Sequence, residues 1–324
     1  MHEGAINERE EMTYGKLKCA VTAVLSGALM LSMAACGTSD ESGASSAGVS
    51  GSAATPSAYD VSGISKDESI ASLLPSYIAQ DGKLTVGMDT SYAPAEFLDA
   101  DGKTPIGYDV DLVNAISKVL GLTPDPQTAT FDAIIPSIGT KYDIGVSSFT
   151  VTKERSEAVD FVTYFKAGMT YAVQKGNPQK VDVKDLCGIK LGVQTGTTEE
   201  EEATTASKAC TDSGKKAIDI QSYKQQTDVT TALVTGKVDA LYADSPVTGY
   251  AIEQTGDKLQ TLGEDQGVAP QAIAIKKGDT QTDEAIQKAL QKLIDDGTYG
   301  KILKSWGSQA GAIDKAEINP TVSE

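Results

Sequence analysis

The chain has 324 residues, 40% of them hydrophobic, and sets 28 lysines and arginines against 45 aspartates and glutamates for a net charge of −17. Its length suggests two domains at roughly 150 residues each, and its charge disfavours a nucleic-acid partner, whose phosphates need a cationic footprint. The single histidine is His2, in a stretch that precedes an export signal, so Ser-His-Asp and Cys-His nucleophiles, a histidine general base and histidine-held zinc are excluded from the folded part.

Residues 1–11 carry Glu3, Glu8, Glu10 and Glu11 against Arg9, the wrong sign for the start of a signal, and translation is expected to begin at Met12. From there Lys16 and Lys18 lead into apolar and small residues at 19–35, ending Ala34-Ala35 before Cys36. A basic opening, an apolar middle and small residues before the cut make residues 1–35 a secretory signal. The run is shorter than the ~20 apolar residues of a spanning helix. Cys36 directly after Ala34-Ala35 resembles a bacterial lipobox, which implies that this cysteine is lipidated and becomes the mature N-terminus; Met33 stands where Leu or Val is more usual. Residues 36–60, rich in Gly, Ser, Ala and Thr, cannot bury enough apolar surface to fold and read as a flexible tether.

From residue 81 onward short β-rich runs alternate with helical stretches, the pattern of an α/β fold. Residues 84–88 predict a strand, followed by a loop at 89–94. Residues 109–120 predict a helix, with Val113, Ile116 and Leu120 on one face and Gly121 in the stop position. A helical piece is expected at 131–138 and a strand at 142–147. Cys19 leaves with the signal and Cys36 takes the lipid, so Cys187 and Cys210 remain; an even pair in an exported protein suggests one disulfide, with two buried thiols as the alternative. Without CxxC or histidine, no metal site is expected. A strand at 189–193 runs into QTGTT at 194–198 and then the acids at 199–202, which mark a helix N-terminus because carboxylates favour the positive end of the dipole. Strands at 238–242 and 271–275 follow. A last amphipathic helix at 283–294 turns Ile286, Leu290, Leu293 and Ile294 inward and stops near Gly297, and the tail beyond Trp306 is polar and expected to be loose.

Seven segments, in this order and spacing, carry a resemblance: LTVGMDTSYAPAEF at 84–97, GYDVDL at 107–112, FDAIIPS at 131–137, SSFTVTKER at 147–155, GTT at 196–198, YAD at 242–244 and DGTY at 296–299. Together they resemble the extracellular solute-binding proteins that feed polar amino acids to ABC importers. The resemblance implies an α/β, two-lobed, periplasmic-binding-protein-like fold with two hinge-crossing strands. Lobe 1 would comprise residues 61–174 plus 269–314, lobe 2 residues 175–268, and residues 315–324 a loose tail. A disulfide between Cys187 and Cys210 would lie inside lobe 2.

The resemblance also implies a ligand set. Arg155 matches the arginine that pairs with the ligand carboxylate, a task suited to its planar fork, and Asp244 the acid that receives the α-ammonium. Thr150 and Thr198 match the remaining carboxylate cradle, with Thr198 at a helix N-terminus suited to anions; Ser147 and Ser148 match a polar strand end lining the cleft. Tyr92 and Phe131 match aromatics that sandwich the ligand side chain, Asp89 an acceptor for its amide or cationic head, and Glu199 a second acceptor. Aromatic faces with one or two carboxylates favour a cation, hence arginine, lysine, histidine or ornithine. Taken singly, each residue has a blander reading as a surface charge, a cap or a turn. Ala93-Pro94-Ala95 lacks a packing aromatic usual in relatives, for which Phe97 is expected to substitute, and Ser117 replaces a small apolar residue of the 109–120 helix.

The expectation is thus a monomeric, lipid-anchored binding component on the extracytoplasmic face of the cell membrane. It would have no catalytic residue and no cofactor, and would work with an ABC permease and its ATPase. A dehydratase-like enzyme on the same scaffold, with Glu199 as its acid or base, and a sensor domain acting through a membrane partner are the alternatives.

Overall fold

In the computed structural model, which describes residues 57–322, Leu84, Val86 and Met88 are buried along the first long strand. The expected signal, the start at Met12, Cys36 and most of the tether lie outside the described residues. Short helices α1 (Glu68–Ala71) and α2 (Ser76–Ala79) lead into this strand, β1 (Lys83–Met88). A three-stranded sheet, β2 (Ser91–Tyr92), β3 (Glu96–Leu98) and β4 (Pro105–Ile106), follows. Gly107, at φ 130°, turns this sheet into α3 (Tyr108–Leu120); a Cβ there would lie 2.1 Å from the carbonyl oxygen of Ala95, so only glycine fits. Helix α3 buries Leu112, Val113, Ile116 and Val119 and ends on Gly121 at φ 72°, as its periodicity predicts.

Next, β5 (Thr123–Thr128) pairs with β1 alone, parallel from Lys83↔Thr123 to Met88↔Thr128. The sequence reading passes over this strand because it holds Pro124 and Pro126; its place at the sheet edge is what tolerates them. Helix α4 (Phe131–Ile134) continues as a 3-10 turn to Ser137, then β6 (Ile144–Thr150), α5 (Lys153–Ala158) and β7 (Val159–Gln174). A second group comprises β8 (Lys190–Gln194), α6 (Thr198–Asp212), β9 (Asp219–Tyr223), α7 (Gln226–Val234), β10 (Ala240–Asp244) and α8 (Ser245–Thr255). The chain returns along β11 (Leu259–Lys276) to α9 (Thr280–Asp295) and α10 (Thr298–Ser305). The strand expected at 271–275 is therefore only the end of an 18-residue one.

The large sheet runs β5-β1-β6-β11-β7-β10-β8-β9. Its outer strands on each side are parallel, and the antiparallel pair β7 and β11 joins them. Each of these two strands changes core along its length. Phe161, Val162, Tyr164 and Phe165 of β7 pack with the β1 side, whereas Met169, Tyr171 and Val173 pack with the β8 side; on β11, Leu259 belongs to the second side and Ala272 to Ile275 to the first. Register breaks between Leu262 and Gln266 and between Gln266 and Ala269, with Gly263 and Gly267 at positive φ, fall at the crossing. Two lobes joined by two crossing strands result. No helix among the described residues is long and apolar enough to cross a membrane.

Cys187 and Cys210 are bonded, their Cα atoms 5.6 Å apart, tying the approach to β8 to the last turns of α6. The tail departs from expectation. Glu317 N donates to the Thr163 hydroxyl (2.9 Å) and Asn319 N to the Phe161 carbonyl (2.8 Å), while Ala316 is buried. Residues 315–322 thus lie along β7 rather than loose, because polar side chains do not prevent a backbone from pairing with a strand that has free carbonyls.

Candidate functional site

Strand ends and helix starts from both lobes meet over a narrow cavity of about 10 Å³, close to the minimum a single water needs. Of the residues singled out in the sequence, Tyr92, Phe131, Ser148, Thr150, Arg155, Thr198, Glu199 and Asp244 line it, together with Thr197. Thr197 was missed. It is the N-cap of α6, its hydroxyl accepting from Glu200 N (3.3 Å), and the TT pair before the acids left either threonine open to that role. A larger groove of about 270 Å³, lined mainly by α7 and α8, presents no charged side chain and offers little to a charged ligand.

Three ionisable side chains, Arg155, Asp244 and Glu199, converge on the cavity. Arg155 is the only arginine among the described residues, a signal the sequence held in plain view. Its Nη1 donates to the Thr150 carbonyl (3.0 Å) and its Nη2 to the Gly196 carbonyl of the other lobe (3.0 Å). The guanidinium carbon stands 5.4 Å from the centre of the Phe131 ring, which itself stacks on Phe149 at 4.9 Å. Burial lowers the pKa of Arg155, while Glu201, Glu199 and Asp244 oppose that shift.

Asp244 closes β10. Its Oδ2 accepts from the Tyr92 hydroxyl (2.9 Å) and from Gln271 Nε2 (2.8 Å). Burial and the nearby Glu199 charge push its carboxyl well above the usual carboxylate range. Glu199, in the first turn of α6, accepts from the Thr198 hydroxyl through Oε2 (3.2 Å), and its buried Oε1 has no hydrogen-bond partner. Burial raises its pKa to about 7 against the pull of its own backbone N–H, Thr198 and Arg155. Two buried acids and one arginine thus share a site in which neither acid ionises easily.

Two singled-out residues are not brought into the cavity lining. The Asp89 carboxylate is buried and fully engaged. Oδ1 accepts from Ser91 N (3.0 Å) and Ser91 Oγ (2.6 Å), and Oδ2 accepts from Phe131 N (2.9 Å) and Gln194 Nε2 (3.0 Å). Ser147 accepts from Asp89 N (3.0 Å) and donates to Glu96 Oε1 (2.7 Å), behind the cavity, whereas Ser148, at φ 50°, lines it. Phe97 does not replace the missing aromatic at the cavity floor either. It packs against Trp306 and Tyr250, with ring centres 5.8 and 5.7 Å away, because in the β2–β3 pair Glu96 stands opposite Tyr92 and the next residue, Phe97, points to the other face. Ser117 is fully buried, its hydroxyl without a partner, within the α3 packing.

Behind the strand that carries Ser147 and Ser148 lies a second pair of acids, Glu96 and Asp109, both fully buried. Asp109 Oδ2 accepts from the Tyr164 hydroxyl (2.6 Å) and Ser148 N (3.3 Å), while Asp109 Oδ1 and Glu96 Oε2 are buried without a hydrogen-bond partner. Burial and the Asp109 charge push Glu96 well above its usual 4.5, and burial pushes Asp109 to about 6. Both acids therefore hold protons more firmly in the folded chain than in the unfolded one. Stability is accordingly expected to fall as pH rises from about 4.5 through about 6 and beyond. Glu96→Gln keeps an acceptor for Ser147 and removes the ionisable group that the Asp109 charge opposes. It is expected to raise unfolding stability above pH 7 by on the order of 1–3 kcal/mol and to change little at pH 4.5, as urea unfolding at the two pH values would measure.

Comparison with known proteins follows the same lines. The sequence profile of the bacterial extracellular solute-binding proteins, family 3, matches residues 84–309. The chain is 38% identical over 253 residues, 77% of its own length and 82% of the relative's, to an arginine-binding protein of Corynebacterium glutamicum strain ATCC 13032. Among solved structures, an ancestral arginine-binding protein bound to arginine superposes with a TM-score of 0.64 at 34% identity, covering 69% of this chain and 98% of that one. An ancestral amino acid-binding protein that is a precursor of cyclohexadienyl dehydratase gives 0.64 at 32% identity, covering 72% and 99%.

Proposed function

The chain belongs to the bacterial extracellular solute-binding proteins of family 3, and from that membership we propose that it captures a cationic amino acid, arginine first among them, for an ABC importer. The observation that carries this reading is the set of groups lining the cavity: Arg155 beside two buried acids, Asp244 and Glu199, whose pKa values burial raises and which a cationic ligand would favour in their ionised form. An α-carboxylate answers Arg155, an α-ammonium answers Asp244, and a second positive group on the ligand answers the unpartnered Oε1 of Glu199. The named ligand of the Corynebacterium relative supports the same choice.

Capture works by closure. The lobes on either side of the β7–β11 crossing must part to admit an amino acid because the closed cavity is too small for one. A ligand that binds groups on both lobes stabilises the closed form by its differential affinity, and a permease with its ATPase then reads closed against open. The protein acts as a monomer on the extracytoplasmic face, held by lipid on Cys36.

Titration calorimetry of protein stripped of ligand by unfolding and refolding tests the reading. Arginine, lysine or ornithine should bind with micromolar or tighter affinity and glutamate not at all. Binding of glutamine or glutamate in preference to all cations would overturn the cationic assignment. One observation favours a second reading: a Glu199 that titrates at about 7 suits a proton donor in a dehydration reaction. Unchanged amino acid recovered after long incubation would remove it.

A further inference from the structure

Some bonds between the lobes involve no cavity-lining side chain. Three of the donors to Asp89, namely Ser91 N, Ser91 Oγ and Phe131 N, come from its own lobe, and the fourth, Gln194 Nε2, reaches across from the end of β8. Ser91 Oγ in turn accepts from Gln226 N (2.9 Å), the first residue of α7, where Gln225 supplies no side-chain cap. At the rim, Lys224 forms an ion pair with Asp132. Gly196, at φ 81°, approaches so near that a Cβ there would lie 3.0 Å from Asp132 Cβ.

We infer that Asp89, Ser91 and Asp132 on one lobe, and Gln194, Lys224 and Gln226 on the other, form a closure latch. Its bonds exist only when the lobes meet, so it sets the open-closed balance without touching ligand. Apparent affinity scales with the fraction of protein in the binding-competent form, so weakening the latch lowers affinity for every ligand by one common factor. The Asp89–Gln194 bond is buried and the Asp132–Lys224 pair exposed, which makes the former the stronger member and the latter the one more sensitive to salt.

The test combines Lys224→Ala, on an exposed side chain, with Gln194→Met, which keeps length and removes the donor. Solution scattering of the unliganded wild type and variants is followed by calorimetry with arginine, lysine and ornithine. The expected result is a larger radius of gyration for the unliganded double variant, a return to the wild-type profile at saturating ligand, and Kd values raised about tenfold by the same factor for all three. Removing Lys224 also removes a positive charge beside a site for cations, which by itself would tighten binding, so weakening reports the latch. An unliganded profile identical to the wild type, or a Kd change confined to one ligand, overturns it. The affinity arm rests on the proposed function; should the wild type bind none of the three, that reading fails while the unliganded profiles still decide the latch.

Discussion

Arg155→Ala is expected to abolish measurable binding while leaving the protein folded. The side chain's contacts in the closed form are two carbonyls and the face of Phe131, none of which is lost from a core when it is cut back. What is lost is the one cation positioned to meet a carboxylate. Removing one partner of a buried charge pair leaves the other desolvated and uncompensated, at a cost of about 3–5 kcal/mol. That corresponds to a Kd weakened by roughly two to three and a half orders of magnitude. Calorimetry beside a thermal unfolding curve checks both halves, and tight binding by the alanine variant would remove Arg155 from the site. Arg155→Lys sharpens the point: it retains charge but not the planar fork, and should recover only a small part of the affinity.

Glu199→Gln should change which ligand binds rather than whether one binds. In the closed form burial pushes the Glu199 carboxyl up to about 7. A ligand that brings a positive group to Oε1 favours the ionised form and lowers that pKa, so binding below pH 7 must expel a proton. Affinity for arginine is then greatest above pH 7 and falls as pH drops, by up to tenfold per unit, until the pKa of the bound form is reached. The glutamine variant cannot titrate. It should bind arginine 10- to 100-fold more weakly at pH 8, in keeping with a charge-assisted bond of about 1.5–3 kcal/mol, and lose the slope between pH 5.5 and 7. Glutamine, which needs no anion at that position, should bind the variant at least as well as the wild type. An arginine affinity with the same pH slope in both proteins would show that Glu199 serves only the start of α6.

Local chemistry made much of this legible. Helix α3 and helix α9 announce themselves by apolar spacing and stop glycines, and the exported context with two leftover cysteines pointed to the Cys187–Cys210 bond. The motifs around Arg155, Thr198 and Asp244 carried the family and led to residues that do converge on one cavity. Each of those signals lies within a few residues of chain.

Other features could not be read that way. Strand β5 looked unlike a strand until the fold set its two prolines on a sheet edge, and the full length of β11 became visible only as it changed partners between lobes. In the sequence Asp89 reads as the acceptor for the ligand's head and Glu199 as a second one. What separates them is that Asp89 spends its oxygens on Ser91, Phe131 N and Gln194, the last 105 residues away, while Glu199 retains a buried oxygen with no partner. Composition, periodicity and motif thus determined the α/β class and the family. Which carboxylates stay free and which join the lobes was decided by tertiary structure alone, because burial and hydrogen-bond partnership belong to the neighbours that distant parts of the chain bring together.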